Sequence, residues 1–246
     1  MVSALSLSET EGGLSLDKLA QFLDQFLGVT RFADDPGGIY QPSDRLIKHL
    51  GLALEPWPQL AEWVSSQKLD ALFLHRPWQL QPGQLEPTIG VVAYHLAFDE
   101  CLTLGFNPHL AKALGMTELE VLGEKAGRPI GMLGAVAPQS FGGYRQHVNQ
   151  VFGGQDQAIA GVEREIAQVA VVGAMTDKLV RQAAQREADL YITGQFRQPA
   201  RLAVQETGIG MVIVGHRRSE QWGLQALAEI LREHWPGLKV VLPPGP

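Results

Sequence analysis

The sequence predicts an α/β fold whose sheets are mostly parallel, and three observations carry the prediction. From Tyr144 onward, short apolar runs alternate with amphipathic helical stretches, the pattern of parallel strands joined by crossover helices. Apolar runs at 69–74, 88–94 and 211–214 lead into His75, His95 and His216, and open α/β sheets present ligands at the carboxyl ends of their strands. A helix, an apolar–Asp step and a strand occur at 60–74 and recur at 179–192. This short echo allows two related halves.

The elements follow in order. Residues 1–14 are polar and rich in Gly and Ser, the composition of a flexible tail. Ser15 is placed to cap a helix whose Leu16, Leu19, Phe22 and Leu23 share one face. Asp35-Pro36-Gly37-Gly38 marks 32–42 as loop. A strand is expected at 46–54, a helix at 57–67 and a buried strand at 69–74. Segment 77–87, rich in Pro and Gln, reads as loop, and 88–94 as a strand rich in β-branched residues. A helix starts at Pro108, and Gly115 is placed to stop it.

Segment 123–143 carries many Gly and Pro residues with little periodicity, and reads as an irregular connection. Beyond it the expected elements are helix 144–152, strand 166–172, helix 177–186, strand 189–193, helix 199–206, strand 210–214, helix 219–234 and strand 239–242. The division is then a tail at 1–14, one α/β half at 15–122, the connection at 123–143 and a second half at 144–246.

Composition narrows the function. In 246 residues, hydrophobic content is 45% and charged content 19%, with a formal net charge of −6. That is ordinary globular material, and no Lys/Arg stripe marks a nucleic-acid partner. No apolar run approaches the ~20 residues of a membrane span. The start lacks a basic segment followed by an apolar stretch, so a cytoplasmic protein is expected. The single cysteine, Cys101, excludes an intramolecular disulfide and reads as a small buried apolar residue. No phosphate-loop, dinucleotide or nucleophile-elbow motif is present.

The chemistry lies with the histidines. His216 is followed four residues later by Glu220, and His95 likewise by Asp99. Neutral imidazoles and carboxylates are ligands for zinc, iron or manganese. His75, His95, Asp99, His216 and Glu220 could gather in one crevice, although each alone also fits a strand-end hydrogen bond or a helix first-turn acid. His109, on the helix after Asn107-Pro108, reads as a surface or interface residue, and His49, His147 and His234 have no partner at a recognisable spacing.

At these residues the chain resembles the Nif-three-like family, whose members are known as type 2 homologues of GTP cyclohydrolase I. Ala188-Asp189-Leu190-Tyr191-Ile192-Thr193-Gly194 is similar to its strand-and-turn signature. Gly215-His216 with Ser219-Glu220 and Gly223 is similar to its closing metal motif, and His95 to Asp99 with Gly105 and Asn107 to its central one. The resemblance implies two α/β halves, a dinuclear metal site in the cleft between them, and a homohexameric ring. It implies His75, Asp99, His216 and Glu220 as metal ligands, with His95 beside them facing the substrate.

Two positions depart from the family pattern. Where its first motif has two consecutive histidines, this chain has His75-Arg76, and a guanidinium offers no lone pair to a metal. The segment Val171 to Thr176 replaces a Gly/Ser-rich turn. A cation at position 76 repels a second ion, so one divalent metal per chain is favoured over two, and Arg76 could instead hold an anionic substrate. The expected function is a metal-dependent hydrolase of a small, nucleotide-like substrate, with Glu220 or Asp99 as general base. The alternative is a non-catalytic, ring-forming scaffold with a degenerate site.

Overall fold

The computed structural model describes residues 13–162 and 165–244. The chain begins with helix α1 (Leu16–Leu27), strands β1 (Gly38–Gln41) and β2 (His49–Ala53), helix α2 (Leu60–Gln67) and strands β3 (Ala71–Leu74) and β4 (Gly90–Ala93). Helices α3 (Leu96–Leu102) and α4 (Pro108–Ala113) precede strands β5 (Thr117–Val121), β6 (Glu124–Lys125), β7 (Arg128–Pro129) and β8 (Gly131–Gln139). Then come α5 (Phe141–Phe152), β9 (Gln157–Ile159), β10 (Ile166–Val172), α6 (Asp177–Gln185), β11 (Leu190–Thr193), α7 (Arg201–Thr207), β12 (Gly210–Ile213), α8 (His216–His234) and β13 (Lys239–Val241).

These elements form two compact units. The first runs to Ala97 and resumes at Ala228; the second is Phe98–Leu227. The first holds a sheet of order β1-β4-β3-β2-β13, in which β4, β3, β2 and β13 run parallel and β1 is antiparallel. The second holds a sheet of order β5-β8-β10-β11-β12-β9, with β10, β11 and β12 parallel and antiparallel strands outside them. The prediction of mixed α/β structure built on parallel sheets holds. The central strands of the second sheet bury both faces: Val169, Val171, Leu190, Ile192 and Val212 enter one apolar cluster. Ala170, Val172, Tyr191, Met211 and Ile213 enter another, the period-two alternation of a sheet covered on both sides.

The units differ from the halves expected at 15–122 and 144–246. The chain crosses from one unit to the other inside α3 and returns inside α8, and β13 then pairs parallel with β2. Helical periodicity carries no mark where one continuous helix serves two cores. The expected irregular connection contains β8, a nine-residue strand paired with both β10 and β5. Its glycines mark close approach, not breakage: a Cβ at Gly131 would stand 2.8 Å from the Val171 carbonyl, and one at Gly134 2.8 Å from that of Thr117. Strand β1 lies in the segment read as loop. The tail expected at 1–14 falls mostly outside the described residues, but Leu14 pairs with Ile47 as an isolated bridge.

Local signals were read well where capping chemistry is explicit. Ser15 accepts the Lys18 N–H at 3.2 Å, and α1 buries Leu16, Leu19, Ala20, Leu23 and Leu27. Gly115, at φ +69°, follows the end of α4. Helix α8 begins three residues earlier than predicted, at His216. The Ser219 hydroxyl donates to the His216 carbonyl at 2.7 Å from within the first turn.

The sequence echo has a structural counterpart inside each unit. Lys68 and Glu187 both adopt left-handed backbone, at φ 53° and 62°, two residues before Asp70 and Asp189. The Asp70 carboxylate accepts the Lys48 and His49 N–H groups, both at 2.9 Å. The Asp189 carboxylate accepts those of Ala167 and Gln168, both at 2.8 Å. In return the Asp70 N–H donates to the His49 carbonyl and the Asp189 N–H to that of Gln168, each at 2.8 Å. Each aspartate thus fastens the start of its own strand to that of its parallel neighbour, β3 to β2 and β11 to β10.

Candidate metal centre

His75 follows β3 directly and is fully buried. Its N–H donates to the Ala53 carbonyl at 3.1 Å. Its Nδ1 lies 3.0 Å from the Tyr94 carbonyl oxygen, which can only accept. The proton therefore sits on Nδ1, and the lone pair of the neutral ring is on Nε2. Tyr94 is itself anchored, donating its hydroxyl to Asp24 at 2.8 Å. Burial first, and then that hydrogen bond, hold its phenol protonated well above the usual tyrosine range.

His95 is oriented in the same way by a carboxylate. Its Nδ1 lies 3.0 Å from Asp35 Oδ2, and the same oxygen accepts the Leu96 N–H at 2.8 Å. Asp35 thus caps the first residue of α3 from outside the helix and fixes the ring of the preceding histidine, again leaving Nε2 as the lone-pair nitrogen. The His75 and His95 rings stand 5.1 Å apart, centre to centre.

Helix α3 carries Asp99 one turn beyond His95. Ligand atoms of His75, His95 and Asp99 lie within 4.8 Å of one another, a His/Asp group able to hold a metal ion. Donors on one tetrahedral ion stand about 3.4 Å apart at bond lengths near 2.1 Å, so small side-chain rotations suffice to close the set.

His216 and Glu220 meet on the first turns of α8, with Nε2 3.0 Å from Oε1. The Glu220 side chain is 1% exposed and that of His216 63%, a buried carboxylate holding a solvent-facing imidazole. Gly215, at φ +95°, admits this turn: a Cβ there would stand 2.8 Å from Arg218 Nη1 and 2.9 Å from Asp156 Oδ2. Arg218 pairs with Asp156 and donates to the Val214 carbonyl. Gly223, on the same helix, would place a Cβ 2.9 Å from both the Leu102 carbonyl and the Phe98 ring, so the bare backbone permits that packing.

Of the residues expected from the sequence, the structure gathers His75, His95 and Asp99. Among the described residues, His216 and Glu220 are not part of that group; they pair with each other. His95, expected to face the substrate, supplies one of the gathered ligand atoms. Arg76 lies 3.4 Å from Glu55 through Nη2. Asp35 was missed, because an aspartate before Pro-Gly-Gly is indistinguishable in sequence from an ordinary turn residue. Three other histidines have plain structural partners: His49 the Lys68 carbonyl, His147 the Ala113 carbonyl, and His234 the Phe22 ring. Cys101 is half-buried, and no helix among the described residues is long and apolar enough to cross a membrane.

Fold and site together define an α/β protein of two main sheets whose strand ends carry paired imidazoles and carboxylates. The family model for Duf34/NIF3 (NGG1p interacting factor 3) matches residues 14–243, and the chain belongs to that family. It is 29% identical over 203 residues to a GTP cyclohydrolase 1 type 2 homolog of Neisseria meningitidis serogroup B, covering 82% of this chain and 75% of the relative. It is 24% identical to one of Allochromatium vinosum, covering 88% and 91%. Among solved structures it superposes on the protein ybgI, of unknown function, with a TM-score of 0.76 at 21% identity over 95% of this chain and 99% of the other. Reduced HcgD from Methanocaldococcus jannaschii gives 0.72 at 21% identity over 93% and 97%. At those identities the two structures speak for the fold.

Proposed function

We propose that the chain binds one divalent metal ion, zinc, iron or manganese, through His75, His95 and Asp99, and hydrolyses a small anionic substrate there. The donor set fits the ion: two imidazoles and a carboxylate converge, and both imidazoles have Nδ1 fixed by an acceptor, which leaves Nε2 of each to bind. That convergence is the observation that carries the reading. Three protein ligands are the number typical of catalytic zinc sites, as structural ones use four. A bound ion would supply Lewis-acid polarisation of the scissile group. The name shared by the relatives makes a nucleotide such as GTP the first substrate to assay.

The chain's own residues would do the rest. Tyr94 and Asp35 hold the two imidazoles in place. With Nε2–H held by Glu220 Oε1, His216 can accept or release a proton at Nδ1, and the same carboxylate would stabilise the charged ring. Arg76 would meet the substrate's negative charge, although its pairing with Glu55 already offsets part of its own. Assembly into a homohexamer is part of the same proposal. The scaffold reading is favoured by one observation, the arginine next to His75 where an imidazole would add a fourth ligand.

Asp35→Asn tests the proposal without touching a ligand. Metal affinity, measured by competition with a chromogenic chelator, is expected to fall roughly tenfold to a hundredfold, and GTP hydrolysis with it. Unchanged affinity would remove His95 from the ligand set. A change confined to ring assembly would favour the scaffold.

A further inference from the structure

Of the large apolar side chains left exposed among the described residues, three border one pocket: Trp78 at 63% exposure, Tyr40 at 49% and Ile39 at 41%. The pocket measures about 180 Å³ and includes Asp35, His75 and His95 in its wall. Exposed aromatic side chains cost solvation, and their clustering in a concavity beside polar groups marks a binding surface. Pro77 starts the short turn that presents Trp78, whose ring meets the His95 ring edge-on at 4.9 Å and 73°. Ile39 and Tyr40 are neighbours on β1, where a regular strand would point them to opposite faces. A register shift between Ile39 and Gln41 breaks the alternation, and both are exposed.

Size and charge narrow the occupant. Pockets that enclose a whole drug-sized ligand measure roughly 300–1,000 Å³; this one has room for a single ring. Among the described residues that line it, none is Lys or Arg, and Asp35 adds a carboxylate, so it does not suit a phosphate. Trp and Tyr faces instead suit a flat π-system.

We propose that this pocket is a subsite for one planar, uncharged aromatic ring of the substrate, held by Trp78 and Tyr40, with the ligand's polar end toward His75 and His95. The inference rests on the reading of those histidines as a substrate-facing metal site. It makes Trp78 a specificity residue for ring-bearing ligands.

The test uses wild-type protein, Trp78→Ala and Trp78→Phe, with uridine as the ring-bearing probe and ribose 5-phosphate as the ring-free control. Binding is read by saturation-transfer NMR and titration, and metal content and oligomeric state are measured on each sample. Uridine is expected to bind wild type, to weaken roughly tenfold or more in Trp78→Ala, and to recover in Trp78→Phe; metal content and the control stay unchanged. Wild type that holds metal but not uridine overturns the subsite and leaves the metal reading intact. Uridine binding to wild type that holds no metal sustains the subsite and overturns the metal reading. Loss of metal in Trp78→Ala makes Trp78 a support for His95, and a changed oligomeric state makes this face an interface between copies; either result overturns the proposal.

Discussion

His75→Ala is expected to lower bound metal from about one ion per chain to less than a tenth of that, the largest effect of any single substitution in the site. His75 is fully buried, and its geometry is fixed at three points: β3 before it, the Ala53 carbonyl on its backbone N–H, and the Tyr94 carbonyl on Nδ1. Alanine removes the Nε2 lone pair, leaves the Tyr94 carbonyl without that donor and opens a cavity. The last two together cost about 2–4 kcal/mol, independent of any metal. Folding and binding therefore need to be separated. His75→Asn does so, because its amide N–H can replace Nδ1–H toward Tyr94 while nothing replaces Nε2. Its thermal stability without metal should approach that of wild type, and added metal should no longer raise it. Wild-type metal content in His75→Asn would show that the ion is held elsewhere.

The second large effect lies at the repeated aspartates. Asp189→Ala leaves the N–H groups of Ala167 and Gln168 without their acceptor at the start of β10, at about 1–3 kcal/mol each before water replaces part of it. A net loss of roughly 2–4 kcal/mol is expected. Asp70→Ala does the same to Lys48 and His49, and also frees Arg45, whose Nε lies 2.8 Å from the carboxylate. A chain of two units need not unfold in one step, so local hydrogen exchange is the suitable measurement. Each variant should lower protection by roughly a hundredfold, in the second sheet for Asp189→Ala and in the first for Asp70→Ala. Equal loss across both sheets, or none, would refute the clamp.

How much of this was legible in the sequence depends on whether the determinant is local. Ser15, Gly115 and the limits of β10 were read correctly, because capping, glycine stops and apolar runs act within a few residues. Strand β8 was hidden, since Gly131 and Gly134 signal loop chemistry until the neighbouring carbonyls are seen to need their space. The division into units was hidden for a related reason: α3 and α8 each serve two cores without any break in their periodicity. In the site, the spacing of His95 to Asp99 and the strand-end position of His75 were visible, and the structure brings all three together. Asp35 could not be foreseen, as its partner His95 lies 60 residues away and no spacing rule links a turn aspartate to a distant imidazole. The pairing of His216 with Glu220 was visible as a spacing, but its form was not. The helix starts at His216, which makes the pair one turn of a single helix instead of a strand end facing a helix cap.

The most direct test of the central claim is the metal content of wild-type protein purified without added metal, measured by elemental analysis against quantitative amino-acid analysis. One divalent ion per chain is the expected result, retained through dialysis and lost in His75→Asn. Two ions per chain, or none after reconstitution with zinc, iron or manganese, would contradict the account.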